Sequence, residues 1–207
     1  MLEYLEAATV SKYIGLIICI LSASTYLCSF TPFELFYSSK LIRKGEYWRL
    51  FSSVFYFGEL SAPTTLFLFD FLNFASLVET GAFSRRKFDL ILFYLFGIIC
   101  MWIVAPFTKT TFFSNMLTSY VTYYWSKLFS DQKISIAGFP IPVPGKYAPF
   151  LIALMSYNRN GLIAIIDTLV GFLIGQLYYV SRSIFTLTLF HTTNWLRTAL
   201  HVVSKDD

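Results

Sequence analysis

Histidine occurs only twice in this sequence, at His191 and His201, and both lie beyond the last long apolar run. Ser-His catalysis needs an imidazole within hydrogen-bond reach of the nucleophile, so neither can easily serve a hydroxyl in the apolar part of the chain. Ser114 and Ser119 have no Gly-x-Ser-x-Gly around them, and Gln176 stands where a base would be wanted, although a glutamine cannot take the proton. Cysteine is scarce as well. Cys19, Cys28 and Cys100 are embedded in apolar runs with no Cys-x-x-Cys pair, and no His, Cys and carboxylate cluster has ligand spacing. No metal or other cofactor is expected, and a serine- or metal-dependent hydrolase is excluded.

Charge is the other shortage. Only 14% of residues are charged, against roughly 25% in an ordinary soluble domain, while 56% are hydrophobic and 20% aromatic. The charges fall in short interruptions, so apolar stretches long enough to cross a bilayer alternate with brief loops that leave no room for a second soluble domain. The net charge of +4 is modest and the basic residues adjoin apolar runs, which points to the lipid bilayer as partner and away from nucleic acid. Glu3 and Glu6 precede the first run, where a cleaved signal would carry positive charge, so no cleavage is expected.

What is present reads as six spans. The first runs from Tyr13 to Phe30, and a mixed stretch from Thr31 to Glu59 then interleaves aromatics with Lys40, Arg43, Lys44 and Arg49, an interfacial composition. The second span, Ala62 to Val78, carries Asp70 and Asn73 and ends at a charged loop, Glu79 to Lys87. The third covers Phe88 to Ala105, closed by Pro106, and the fourth, Phe112 to Phe129, contains Asn115. The segment AGFPIPVPGK that follows is incompatible with helix. A short fifth span, Tyr147 to Tyr157, either extends through Asn158 to Leu162 or sits in a thinned membrane; the sixth, Leu162 to Val180, holds Asp167, Gly171 and Gly175. With a cytosolic N-terminus, ten of the sixteen Lys and Arg residues fall on the cytosolic side, which favours both termini there.

Polar groups in lipid are costly and normally face a protein interior or a hydrated cavity. Asp70, Asn73, Asn115 and Asp167, on three helices, therefore suggest a polar groove, with interhelical hydrogen bonding as the structural alternative. An Asp70 and Asp167 pair would be the one remaining route to intramembrane catalysis. Gly171 and Gly175 form a Gly-x-x-x-Gly that lets another helix approach closely, read first as packing within the bundle and second as a dimer face. Trp48 and Arg49 read as an interfacial anchor or as a structural pair inside the loop, and Arg85, Arg86 and Lys87 as a topology determinant.

Four stretches carry a family likeness: KGEYWRLFSSVFYFG, LVETGAFSRRKFDLILFYLFG, YYWSKLFSDQKISIAGF and DTLVGFLIGQLYYV, in order across most of residues 40 to 180. They resemble the Derlins, the Der1-like rhomboid pseudoproteases. The resemblance implies an all-α membrane protein, a rhomboid-like bundle of six transmembrane helices with an amphipathic first loop, over residues 1–181 with a cytosolic tail at 182–207. It also implies a non-catalytic role in endoplasmic-reticulum-associated degradation. Misfolded protein clients would be retrotranslocated with a RING ubiquitin ligase complex, and the AAA unfoldase would be engaged indirectly, with homo- or hetero-oligomerisation left open. By motif, Trp48 and Arg49 take the family's loop position, Glu79 and Gly81 its second-loop position, and Gly171 and Gly175 its glycine pair. The sequence departs where many Derlins have histidine in place of Gln176 and their acid three residues before the first glycine, Asp167 being four before. No glycine follows Gly175, so the family's glycine-containing unfoldase motif is absent and direct recruitment is not expected. The alternative function is a rhomboid-like lipid-handling or transport protein.

Overall fold

A computed structural model describes residues 8–27, 30–84, 86–108, 110–136 and 141–203, without the side chains of Arg159, Asn160 and residues from Phe185 onward. Glu3, Glu6, Cys28, Arg85, Lys109, Lys205 and the His191 and His201 side chains therefore lie outside the described residues. The chain is helical almost throughout. Helix α1 spans Thr9–Tyr26, and the first loop folds into α2 (Pro32–Leu35), α3 (Ser39–Ile42) and α4 (Trp48–Phe55). Helix α5 (Ala62–Leu77) runs into a π turn at Val78–Ala82, followed by α6 (Lys87–Val104) and α7 (Ser114–Leu128). A two-residue antiparallel pair, β1 (Lys133–Ile134) and β2 (Val143–Pro144), ties off the next loop. The last helical stretch, Ala148–Val203, is broken at Gly161 (φ 67°, ψ −149°) into α8 (148–160) and α9 (161–203).

That break needs glycine. The conformation is one that residues with a Cβ hardly reach, and no heavy atom lies within 4 Å of where a Gly161 Cβ would sit. Backbone geometry alone therefore selects the residue. Helix α5 begins in the ordinary way, with the Ser61 hydroxyl accepting from the Thr64 N–H and Pro63 in the first turn.

Polarity is inverted relative to a water-soluble bundle. Helix α7 buries Ser114, Asn115, Thr118, Ser119, Thr122 and Ser126, and α1 buries Ser11, Ser22 and Thr25 while exposing Tyr13, Leu16, Ile17 and Ile20. Hydroxyls and small residues inside with large aliphatics outside is the arrangement lipid selects, because apolar burial between helices gains nothing there. Helix α7 is the axis of the bundle. Its Tyr120 stacks on Phe93 of α6 with ring centroids 4.4 Å apart, and Tyr178 of α9 packs edge-on to both Phe93 and Tyr124.

Among the described residues three helices are long and apolar enough to cross a bilayer: Thr9–Tyr26, Lys87–Val104 and Gly161–Ile184. Three of the six expected spans meet that requirement by length and composition. The other three expected spans are present as helices but are shorter. At about 1.5 Å per residue, the 16 residues of α5 reach about 24 Å and the 15 of α7 about 22 Å. The π turn takes up the end of the second expected span, the hydroxyls of α7 lower its hydropathy, and Gly161 cuts α8 short. Helix α1 also starts at Thr9, four residues before the expected Tyr13, and α9 continues past Val180 into the expected tail.

Candidate functional site

The helix starts nearest the first loop converge on a cavity of about 630 Å³. Tyr56, Phe57 and Gly58 close it from the end of the first loop, Ser61, Pro63 and Thr64 from the start of α5, Thr110, Thr111 and Phe112 from the approach to α7, Ser114 and Asn115 from its first turn, and Ile163, Ala164 and Asp167 from α9. Its polar wall is a hydrogen-bonded network. The Asn115 amide donates to the Ala164 carbonyl at 2.8 Å and to the Thr168 hydroxyl at 3.0 Å, while its carbonyl accepts from the Ser156 hydroxyl at 2.7 Å. One asparagine thus joins α7, α8 and α9 on either side of the Gly161 break. The Thr110 hydroxyl donates to Asp167 Oδ1, which ties the approach to α7 onto α9. Both Asn115 and Asp167 are buried against protein yet border the cavity; the Asn115 N–H groups are spent within the wall, and the hollow presents a carboxyl, hydroxyls and the remaining acceptor capacity of the Asn115 carbonyl.

The other polar groups singled out by sequence do not join them. Asp70 is buried on α5 away from the cavity lining, Asn73 reaches the Ser135 carbonyl at 3.4 Å near the β pair, and Gln176 accepts from the Tyr123 hydroxyl at 2.8 Å. Asp70 and Asp167 accordingly share no cavity. Among the described residues no group of three or more His, Cys, Asp or Glu is placed to hold a metal ion.

The Trp48 and Arg49 pair divides its labour. Arg49 is 6% exposed: its Nε donates to Glu46 at 2.6 Å, its Nη1 to the carbonyls of Phe33 and Phe36 at 2.9 and 3.2 Å, and the guanidinium lies 5.1 Å over the Phe36 ring. One cation binds α2 to α4. Trp48 is 57% exposed beside exposed Tyr47 and Phe51, an apolar face turned outward. Backbone bonds from Tyr37 N–H to the Thr111 carbonyl and from Phe113 N–H to the Ser53 carbonyl then fasten this loop to the cavity rim. Removing the fork with Arg49→Ala should cost about 2 kcal/mol of stability, since a buried charge-assisted network is lost and Glu46 and two carbonyls lose their donor. Arg49→Lys should recover less than half of it. Thermal unfolding of the full chain in mild detergent measures both.

Glu79 and Gly81 sit in the π turn at the other end of the bundle. Glu79 accepts from the N–H groups of Val10 and Ser11 at 3.0 and 2.8 Å and from the Ser11 hydroxyl at 2.8 Å, so it caps α1 from 68 residues away. A Cβ on Gly81 would meet the tip of the Phe129 ring at 2.8 Å. Gly171 and Gly175 both face α7, where their missing side chains admit the backbone of Met116 and Tyr120. Thr110, Ser156 and Thr168 were not singled out by sequence reasoning. Ser156 and Thr168 each carried a signal, a hydroxyl in an apolar run, whereas Thr110 acts from outside any helix.

Inverted helices, lipid-length apolar spans and a polar hollow at one end define a helical integral membrane protein with an internal polar cavity. Comparison with known proteins narrows the class: the model of the Der1-like family matches residues 8–199. The chain belongs to that family. It is 27% identical over 175 residues to a probable derlin-2 homolog of Dictyostelium discoideum, covering 80% of this chain and 67% of that protein. It is 28% identical over 162 residues to derlin-1 of Oryza sativa subsp. japonica, covering 75% and 66%, and 30% identical over 153 residues to an uncharacterized derlin-like protein of Schizosaccharomyces pombe, covering 70% and 76%. The matched region thus spans about two thirds of the amoeba and rice relatives.

Proposed function

We propose that this chain is a non-catalytic, rhomboid-like component of endoplasmic-reticulum-associated degradation that helps move misfolded proteins across the membrane through a laterally accessible polar groove. The observation that carries the reading is the cavity bordered by Asn115, Asp167 and Thr110 in a chain of the Der1-like family. A polypeptide crossing a bilayer must bring unpaired amides with it, each costing several kcal/mol in hydrocarbon. Carboxyl and hydroxyl groups and the Asn115 carbonyl at one end of the bundle can receive such amides in turn. Short α5 and α7 support the same reading, because helices of about 22 to 24 Å beside a core of about 30 Å favour local thinning. Thinning shortens the distance over which polar chain is exposed.

In this reading six helices cross the membrane, both termini are cytosolic, and the first loop with exposed Trp48 lies in the lumenal interface where clients arrive. A RING ubiquitin ligase complex completes the path and couples it to the unfoldase. Both histidines come after the last long apolar run of the sequence, where an imidazole cannot easily serve Ser114 or Ser119, so in this reading a bound client is passed on uncut.

Site-specific photocrosslinking in intact endoplasmic reticulum tests the proposal. A photoreactive residue at Phe112 or Ile163, both on the cavity wall, should capture a trapped misfolded client. The same probe at Ile103 on the outer face of α6 should capture lipid. Lipid adducts at all three positions would refute a client groove. Purification in mild detergent then asks whether a ubiquitin ligase accompanies the chain.

A further inference from the structure

Among the described residues lining the cavity beside the first loop, Asp167 is the one ionisable acid, and none is lysine or arginine. Asp167 is buried and its Oδ1 accepts from the Thr110 hydroxyl, while among the described residues no donor or cation reaches Oδ2. That oxygen is left for an occupant. The neighbouring polar groups suit a donor too, because the Asn115 carbonyl and the hydroxyls of Thr111 and Ser114 can all accept. Exposed Glu59, one residue beyond the lining residue Gly58, is close enough for its charge to act on Tyr56 and adds negative charge at the rim.

Aromatic rings supply the rest of the chemistry. Tyr56 and Phe112 line the same cavity with ring centroids 5.0 Å apart, and Phe57, also on the lining, packs on Phe67 and Phe71 at 5.3 and 5.1 Å. A carboxylate beside aromatic rings suits an organic cation through charge and through the ring quadrupole. A peptide amide would use the hydroxyls and leave the carboxylate's charge unanswered. A metal ion is a poorer fit, since among the described residues no three His, Cys, Asp or Glu come together. A basic side chain is also among the groups for which hydrocarbon is most costly, so it gains most from such a refuge. Granting that clients pass through this groove, we infer that the cavity takes up a lysine or arginine side chain of the client, its cation on Asp167 and its aliphatic stem against Tyr56 and Phe112.

Photocrosslinking from Ile163 in intact endoplasmic reticulum reads the preference, using three single-span clients that differ only in a lysine, a glutamine or a leucine within the apolar segment. The lysine client should be captured about tenfold over the leucine client, with glutamine close to leucine. Asp167→Asn should bring that ratio near one. Thr111→Lys, at an exposed lining position, supplies a cation from the chain itself and should lower the ratio in the same way. Lys109 and Arg159, whose side chains lie outside the described residues, are the basic residues nearest in sequence to the lining, and Lys109→Gln and Arg159→Gln should leave the ratio as it is. Melting in mild detergent reports the folding of each variant, and if Asp167→Asn does not fold, Thr111→Lys decides. Glutamine captured as well as lysine, a ratio that survives in the variants that fold, or a rise on removing Lys109 or Arg159 would each overturn the cation site. Equal capture of all three clients overturns it while leaving the client groove standing; lipid adducts with all three overturn both.

Discussion

Gly171→Ala should lower the stability of the bundle by about 3 kcal/mol, and Gly171→Leu should prevent its assembly. A Cβ at this position would meet the Met116 carbonyl oxygen at 2.5 Å and Ser119 Cβ at 2.7 Å. The obstacle is backbone, which cannot rotate aside as a side-chain tip can. Helix α7 has nowhere to retreat, since Met116, Leu117, Tyr120, Val121, Tyr124 and Trp125 are all buried around it. If α9 backs away instead, it pulls on the Asn115 bonds to Ala164 and Thr168 that span the same interface. That loss is what remains after the roughly 1 kcal/mol that alanine gains over glycine in intrinsic helix propensity has offset part of the steric cost. Gly175 offers an internal comparison. Its added Cβ would stand 3.0 Å from Tyr123 Cδ1 and 3.2 Å from the Tyr120 carbonyl, distances that a shift of a few tenths of an ångström relieves. Gly175→Ala should therefore cost about 1 kcal/mol. Thermal unfolding of both variants in the same detergent gives the ranking. Equal melting points, or a change in oligomeric state with melting unaffected, would place the glycine pair at a contact between copies instead of at the α7 and α9 interface.

Elements held by hydropathy were readable from sequence, and elements held by a distant partner were not. Apolar runs placed α5, α6 and α7 to within two residues at each end, α1 to within four and the start of α9 to within one, because lipid imposes the same requirement along a whole span; the end of α9 lies well past the expected Val180. The start of α1 was misplaced because its cap comes from Glu79, and an N-terminus with no Ser, Asp or Asn of its own at Ala8 gives no local sign of where it begins. Asp70, Asn73, Asn115 and Asp167 stood out equally as polar residues in apolar runs. Which of them share a cavity depends on how α5, α7 and α9 are rotated about their axes, and inverted polarity with hydroxyls on several faces leaves that rotation unspecified. Asn115 and Asp167 come together because Gly171 and Gly175 seat α9 on α7; Asn73 is instead directed to Ser135. Trp48 and Arg49 read equally as an interfacial anchor or as a structural pair inside the loop, and it is Glu46 with the carbonyls of Phe33 and Phe36 that turns Arg49 inward. The break between the fifth and sixth helices was open in the sequence, and Gly161 fixes it by a conformation its neighbours could not adopt.

Glu79→Ala should cost about 3 kcal/mol, and the damage should concentrate in α1. Two backbone N–H groups and the Ser11 hydroxyl would lose a buried acceptor, and a buried donor left without one costs about 1 to 3 kcal/mol. Among the described residues Ala8, at the N-cap position, offers no side-chain cap of its own. Glu79→Gln keeps the shape but should still lose about 2 kcal/mol, because an uncharged amide interacts less with the helix dipole and turns an N–H toward donors if it flips. Glu79 is 3% exposed, so raising the salt concentration should change the wild-type margin little. Lys87, which donates to the Thr9 hydroxyl from a more open position, should matter much less: Lys87→Met is expected to cost under about 0.5 kcal/mol. Unfolding in detergent gives the totals, and limited proteolysis shows where the loss falls. Cleavage near Thr9 to Ser11 should accelerate in Glu79→Ala while the loop after Phe129 is cut at its usual rate. Helix α1 is the element such fraying would release, because it packs chiefly on α4 and α5, with Gly15 close against Leu72. The carboxylate in the second loop therefore controls whether α1 stays docked as the outer wall of the bundle. If proteolysis instead quickened equally at both sites, Glu79 would be supporting the second loop as a whole and the capping account would fail.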